Sequence, residues 1–250
     1  MSFDQPLAPP PTRGTLFTRS RPLRAGDVAP DNRLRLDGIA RYLQDIGSDN
    51  ADAAGFAETD PVWILRRTVI DVRTPAEWPD HVSMRRWCSA YSTRWSTMRV
   101  EMTSDKGARI ETEGFWIHIN RDTGMPSRIS DSTLELLGSH TDVDRLRWKS
   151  WLAEDLPEDG VDVPFPLRST DFDPLDHVNN AAYLHAVEEH AITRPDLLAA
   201  PHRVVIEYAS PITIGEQLTI RRREDADGLS LWFVVDGASR AGARLARLTD

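Results

Sequence analysis

Thirteen consecutive residues, Asp171-Phe-Asp173-Pro-Leu-Asp176-His177-Val-Asn179-Asn180-Ala-Ala-Tyr183, hold three acids, an imidazole and two amides. The apolar spacing that follows is helical, so the segment reads as a turn feeding a helix. The first N–H groups of a helix lack intrahelical partners and sit at the positive end of its dipole. A carboxylate placed there stays ionised beside donors suited to an oxyanion. That equipment fits hydrolytic attack on a carbonyl. Asp173 is the candidate general base or nucleophile, and the backbone N–H groups of Val178, Asn179 and Asn180 are the candidate oxyanion donors. His177 is a second polar contact to the substrate, a partner orienting Asp173, or equally a cap. Asn179 donates to the carbonyl or shapes the turn, and Asp176 is the expected N-cap. Asp171, two residues from Asp173, points to the opposite face of an extended approach.

A helix predicted over 178–192 must carry these residues, and strands predicted at 163–169, 203–210, 217–223, 230–236 and 243–248 must support it. Upstream, the same order is predicted: strand 16–23, helix 34–54, then strands 63–72, 82–90, 95–104 and 109–120. Short helices are predicted at 134–137 and 146–152.

The likeness of the two halves extends to individual residues. The stretch from Val69-Ile-Asp71 through Pro75 to Met84 aligns without a gap on Val205-Ile-Glu207 through Pro211 to Ile220, 136 residues later. Ile39, Tyr42, Leu43 and Ile46 match Asn180, Tyr183, Leu184 and Val187 at an offset of 141, along one buried helix stripe in all but the first place. The chain therefore reads as a duplicated unit: a tail at 1–14 expected to be mobile, a first unit at 15–129, a linker at 130–162 and a second unit at 163–250. Carried back by 141 residues, Asp173 falls on Asn32, His177 on Leu36 and Asn179 on Gly38. Only the second copy holds the polar set, which leaves the first free to shape a pocket for the apolar part of a substrate.

Composition narrows the classes. The 250 residues are 40% hydrophobic and 28% charged, as in globular proteins, and no run approaches a membrane span. The Pro-rich opening has no apolar core of a signal peptide, so the expected location is cytoplasmic. The single cysteine, Cys88, rules out an internal disulfide and reads as a packed thiol. No Cys/His metal-ligand spacing is present, and no metal or cofactor is expected. A net charge of −9 argues against nucleic acid as a partner. Local arginine clusters at Arg66-Arg67, Arg85-Arg86 and Arg221-Arg222-Arg223 suit an acidic carrier protein or the phosphates of coenzyme A.

The pattern D-x-D-x-x-x-H-V-N-N-x-x-Y from Asp171 to Tyr183 resembles the signature of acyl-acyl carrier protein (acyl-ACP) thioesterases, and more loosely that of the hydroxybenzoyl-CoA thioesterase group. A weaker likeness covers Trp116-Ile-His-Ile-Asn120 and Thr123-Gly-Met-Pro126-Ser-Arg128. The resemblance implies an α+β fold, a tandem (double) hotdog, in which each copy wraps a long central helix with an antiparallel sheet. It implies hydrolysis of fatty acyl thioesters to free fatty acid and holo-carrier at one site in the second copy. The partner is acyl carrier protein or acyl-CoA, and the chain is a monomeric pseudo-dimer or a homodimer. Glu188 matches a family acid, and with Glu207 it is a candidate pocket residue. The sequence departs from the plant-type motif D-x-N-x-H, since Leu175 stands at the Asn position, and Pro211 and Ile212 stand where a Glu-Cys pair is expected. Asp173, His177 and the Asn179-Asn180 pair survive. Two rivals remain at this level: a double-hotdog enoyl hydratase, whose D-x-N-P-x-H pattern the turn narrowly misses, and a non-catalytic acyl-binding protein.

Overall fold

The computed structural model describes residues 3–152 and 155–248. The first half runs β1 (Phe17–Pro22), α1 (Leu36–Ala54), α2 (Phe56–Thr59), β2 (Trp63–Thr74), β3 (His81–Tyr91), β4 (Trp95–Ser104), β5 (Arg109–His118) and α3 (Asp131–Gly138). The second runs β6 (Val161–Pro164), α4 (Asn180–Ala191), α5 (Pro195–Leu198), β7 (His202–Tyr208), β8 (Thr219–Glu224), β9 (Gly228–Val235) and β10 (Ala238–Arg247). The strands form one ten-stranded sheet in the order β1-β3-β4-β5-β2-β7-β10-β9-β8-β6. Read from either edge, the order passes through equivalent strands of the two copies, so a pseudo-twofold axis crosses the seam between β2 and β7.

The seam register places that axis. Val69 lies opposite Val205 in an antiparallel pair, and these are the residues that the sequence repeat superposes. Equivalent residues meet directly only on a twofold. Two steps away on either side the repeat forms matching ion pairs: Arg203 Nε and Nη2 grip Asp71 at 2.6 Å each, and Arg67 Nη1 reaches Glu207 at 3.3 Å. All four residues are buried.

Alternation along β2 and β7 sends successive side chains to opposite faces. Ile70, Val204, Ile206 and Tyr208 join the main core under α1 and α4, while Val69 and Val205 pack with Trp151 on the other face. That outer face is covered by the linker and the N-terminal segment, which is why every residue of β7 is buried. The opening segment, expected to be a mobile tail, instead lies against the sheet. Phe3 and Leu7 pack on the Val69–Val205 cluster, and Arg203 Nη1 donates to the carbonyls of Phe3 and Gln5. Apolar residues in a Pro-rich stretch had a hydrophobic face to cover.

Helix α1 has its apolar stripe at Leu36, Ile39, Ala40 and Ile46, and ends where Gly55 adopts the left-handed φ of 74°. No helix forms at 146–152, where the chain runs extended across the outer face and places Trp151 on it. The first strand of the second unit is shorter and earlier than predicted, at Val161–Pro164. Among the described residues, no helix is long and apolar enough to cross a membrane.

Candidate active site

The polar turn is held by its backbone. Asp173 N–H donates to His177 O at 2.9 Å, Asp176 N–H to Asp173 O at 3.0 Å, Val178 N–H to Ile212 O at 2.9 Å and Asn179 N–H to Asp171 O at 2.8 Å. Asp176 carries a left-handed φ of 59° inside this turn, so it is not the helix cap. Asn179 is, its Oδ1 accepting Ala181 N–H at 2.8 Å. Asp171 is buried and braced by Arg168. Burial pushes its carboxyl up, but the Arg168 hydrogen bonds and charge outweigh this and hold it below the usual range.

The first copy builds the same turn without the side chains of Asp173, His177 and Asn179. Ala29 N–H donates to Arg33 O, Asn32 N–H to Ala29 O, Leu34 N–H to Ala76 O and Arg35 N–H to Asp27 O, with Asn32 at a φ of 69°. The bonds pair Asp173 with Ala29, His177 with Arg33, Asn179 with Arg35 and Asn180 with Leu36, an offset of 144 residues rather than the expected 141. Three residues are nearly one helical turn, so either offset superposes an apolar stripe; only the hydrogen bonds separate them. At this offset too the first copy lacks the carboxylate, the imidazole and the amide, with Ala29, Arg33 and Arg35 in their places. It also follows that the turn needs none of them to fold. Asp173 Oδ1 accepts Leu175 N–H at 2.8 Å and His177 N–H at 3.4 Å, while Oδ2 has no partner among the described residues.

Of the three candidate oxyanion donors, Val178 and Asn179 already donate to carbonyls of the chain. Asn180, the first residue of α4, is the one whose N–H has no acceptor among the described residues. Its counterpart Leu36, the first residue of α1, donates to the Glu188 carboxylate at 2.8 Å. Arg33 forks the same carboxylate at 2.9 and 3.0 Å. Glu188 is therefore a plug on the first copy's helix start and not a pocket residue. The residue equivalent to Glu188 is Gln44 on α1, and its Nε2 donates to Asn179 Oδ1 at 3.0 Å. One helix start is closed by a carboxylate, and the other is open.

Asn180 lies on the wall of a narrow cavity that is open at one side. The cavity runs beneath α1 into the first copy, between Leu43 and Gln44 on one side and Thr68, Val100 and Gly114 on the other. Gln44 was not foreseen; a lone glutamine on an amphipathic helix carries no signal unless its 144-residue partner is known. Glu207 is not on this wall. Its carboxylate accepts Ser150 Oγ at 2.5 Å and Trp151 N–H at 2.9 Å on the outer face, and its neighbour Tyr208 lines the cavity instead. Asp173 and His177 lie in the turn leading into α4, outside the residues that line the cavity. Asp173 is close enough to the buried Tyr183 for its charge to join burial in raising the phenol's pKa. The His177 imidazole makes no hydrogen bond among the described residues.

If Glu188 only plugs α1, Glu188→Gln should cost stability and spare turnover. We expect a loss of about 1–3 kcal/mol in urea unfolding, from weakening a charged hydrogen-bond set, with kcat within about twofold. A kcat loss greater than the stability loss accounts for would return Glu188 to the site.

The chain matches the family model of the acyl-ACP thioesterase N-terminal domain over residues 14–137 and that of the C-terminal domain over residues 154–247. An uncharacterized protein of Mycobacterium tuberculosis is 47% identical over 246 residues, covering 98% of this chain and 97% of that protein. A dodecanoyl-[acyl-carrier-protein] hydrolase of Cinnamomum camphora is 23% identical over 92% of this chain, which spans 62% of the plant protein. In fold, the chain resembles an acyl-ACP thioesterase from Bacteroides thetaiotaomicron, with a TM-score of 0.79, 15% identity and 92% and 97% of the two chains covered. It also resembles the 12:0-ACP thioesterase from Umbellularia californica, with a TM-score of 0.73, 20% identity and 93% and 97% covered. With both family models matched in order along most of its length, the chain belongs to the acyl-ACP thioesterase family of thioester hydrolases, on a tandem hotdog fold.

Proposed function

We propose that this protein hydrolyses fatty acyl chains from acyl carrier protein at a single site, the start of α4 in the second copy. The observation that carries this reading is the contrast between the two helix starts. At α1 an amide binds a carboxylate oxygen supplied by the chain itself. At α4 the equivalent amide has no acceptor among the described residues, and Asn180 lines a cavity of mainly apolar groups. The thioester carbonyl oxygen takes the place that Glu188 fills in the first copy, accepting from Asn180 N–H at the positive end of the helix. The acyl chain then runs under α1.

Asp173 is the acid of the reaction. Its Oδ1 is anchored by two backbone amides, and Oδ2 remains to take a proton from water as the water oxygen attacks the carbonyl carbon. Collapse of the tetrahedral intermediate breaks the carbon–sulfur bond, and the proton passes from Asp173 to the departing thiolate. His177, two residues before the Asn179 cap, is the polar contact at the mouth. Leu175, Pro211 and Ile212 cannot share this work, so it falls on Asp173.

Free-thiol release from acyl-ACP and acyl-CoA thioesters of medium and long chains tests the proposal. Turnover on acyl-ACP above that on acyl-CoA is expected. Double-bond hydration without thiol release, or acyl binding without any turnover, would overturn the reaction.

A further inference from the structure

Arg86 places a cation on the wall of a cavity lined mainly by apolar groups. It lies on β3, more than nine-tenths buried. Asn50 Oδ1, on α1, accepts from its Nη1 at 2.6 Å, while Nε and Nη2 have no acceptor among the described residues. That Nε/Nη2 edge is the one this chain uses repeatedly to fork a carboxylate: Arg203 on Asp71, Arg35 on Asp37 and Arg221 on Asp162. Burial brings Arg86 down to about 10, which leaves it cationic at neutral pH.

The duplication supplies an internal comparison. Extending the gapless strand alignment carries Arg86 onto Arg222 and Cys88 onto Glu224. Arg222 Nη2 donates to Glu224. The arginine that faces the cavity has a thiol where its twin has an acid, and burial pushes that thiol up to about 12, so it carries no charge. The position along the cavity is also informative. Gln44, at the Asn179 end, and Asn50, on Arg86, are six residues apart on α1, about 9 Å along the axis. That distance suits a medium-length acyl chain.

We infer that the cavity takes acyl chains ending in a carboxylate, as in the monothioester of an α,ω-dicarboxylic acid, with Arg86 forking the distal carboxylate. This rests on the thioester-hydrolase reading above. A methyl terminus would leave Arg86 Nε and Nη2 without an acceptor in the filled cavity. A site built for a polar group rejects the analogue lacking it far more strongly than an apolar pocket rejects a change of one methylene.

The test compares decanoyl and decanedioyl monothioesters by thiol release, and free decanoate and decanedioate by calorimetry. We expect kcat/KM to favour the diacid by at least about tenfold, Arg86→Met to reverse that preference, and Asn50→Leu to weaken it several-fold by releasing the Arg86 guanidinium that Asn50 holds. Asn50→Leu places a good helix former on α1, so it keeps the test alive if Arg86→Met fails to fold. A wild-type preference for decanoyl, or a diacid preference that both variants retain, overturns the inference while leaving the hydrolase reading intact. Arg86-dependent binding of decanedioate with no thiol release from any thioester would do the reverse.

Discussion

Replacing Asn180 with proline should reduce kcat by about 10²–10³-fold, the usual loss on removing one oxyanion donor, with little change in stability. Proline lacks the N–H proposed to hold the oxyanion, and position 180 is the first of α4, where proline is tolerated because that N–H has no intrahelical partner. The preceding residue also suits it, since Asn179 has φ −62° and ψ 143°, the extended conformation that proline demands of its predecessor. Asn180→Ala alters the side chain on the cavity wall and keeps the N–H. The ratio of the two variants' kcat values therefore isolates the backbone donor, and equal losses would remove Asn180 N–H from the mechanism. Circular dichroism and urea unfolding of both proteins check that the helix start survives.

Asp173→Asn should lower kcat by about 10²–10⁴-fold, the range for a positioned general base. The asparagine keeps an oxygen to accept the Leu175 and His177 amides, so the turn is retained. Asp173→Ala should lose at least as much activity and still fold, because the first copy makes the same turn on Ala29. Single-turnover thiol release under saturating acyl-ACP measures the chemical step directly. Activity within tenfold of wild type in Asp173→Asn would remove the carboxylate from the reaction, leaving the helix amide and bound water to account for the rate.

Much of the fold is legible before any coordinates. Strand alternation in β3 and the 136-residue repeat are short-range patterns, and they specify which faces are buried and that two units exist. The pseudo-twofold then follows, since a strand duplicated in sequence and paired antiparallel with its copy must meet it at one self-matched position, here Val69 and Val205. Apolar periodicity repeats every turn and hydrogen bonds do not, so the stripe alone places the helix offset three residues from the one the turn's hydrogen bonds fix. Glu207, expected in the pocket, is turned to the outer face, because alternation sends it and Tyr208 to opposite sides of β7 and Tyr208 lines the cavity.

The sequence by itself determined the tandem architecture, the family, and the copy that carries Asp173, His177 and the Asn179-Asn180 pair, because these depend on periodicity and on residue identity at fixed spacing. The tertiary structure decided which of the adjacent amides is open, that Glu188 closes the other helix start, and that Gln44 and Arg86 from the first copy share a cavity with Asn180 from the second. Those facts depend on groups 94 to 155 residues apart meeting across two antiparallel helices and one sheet seam. Nothing in local spacing encodes such a meeting; the packing of two copies about a twofold does.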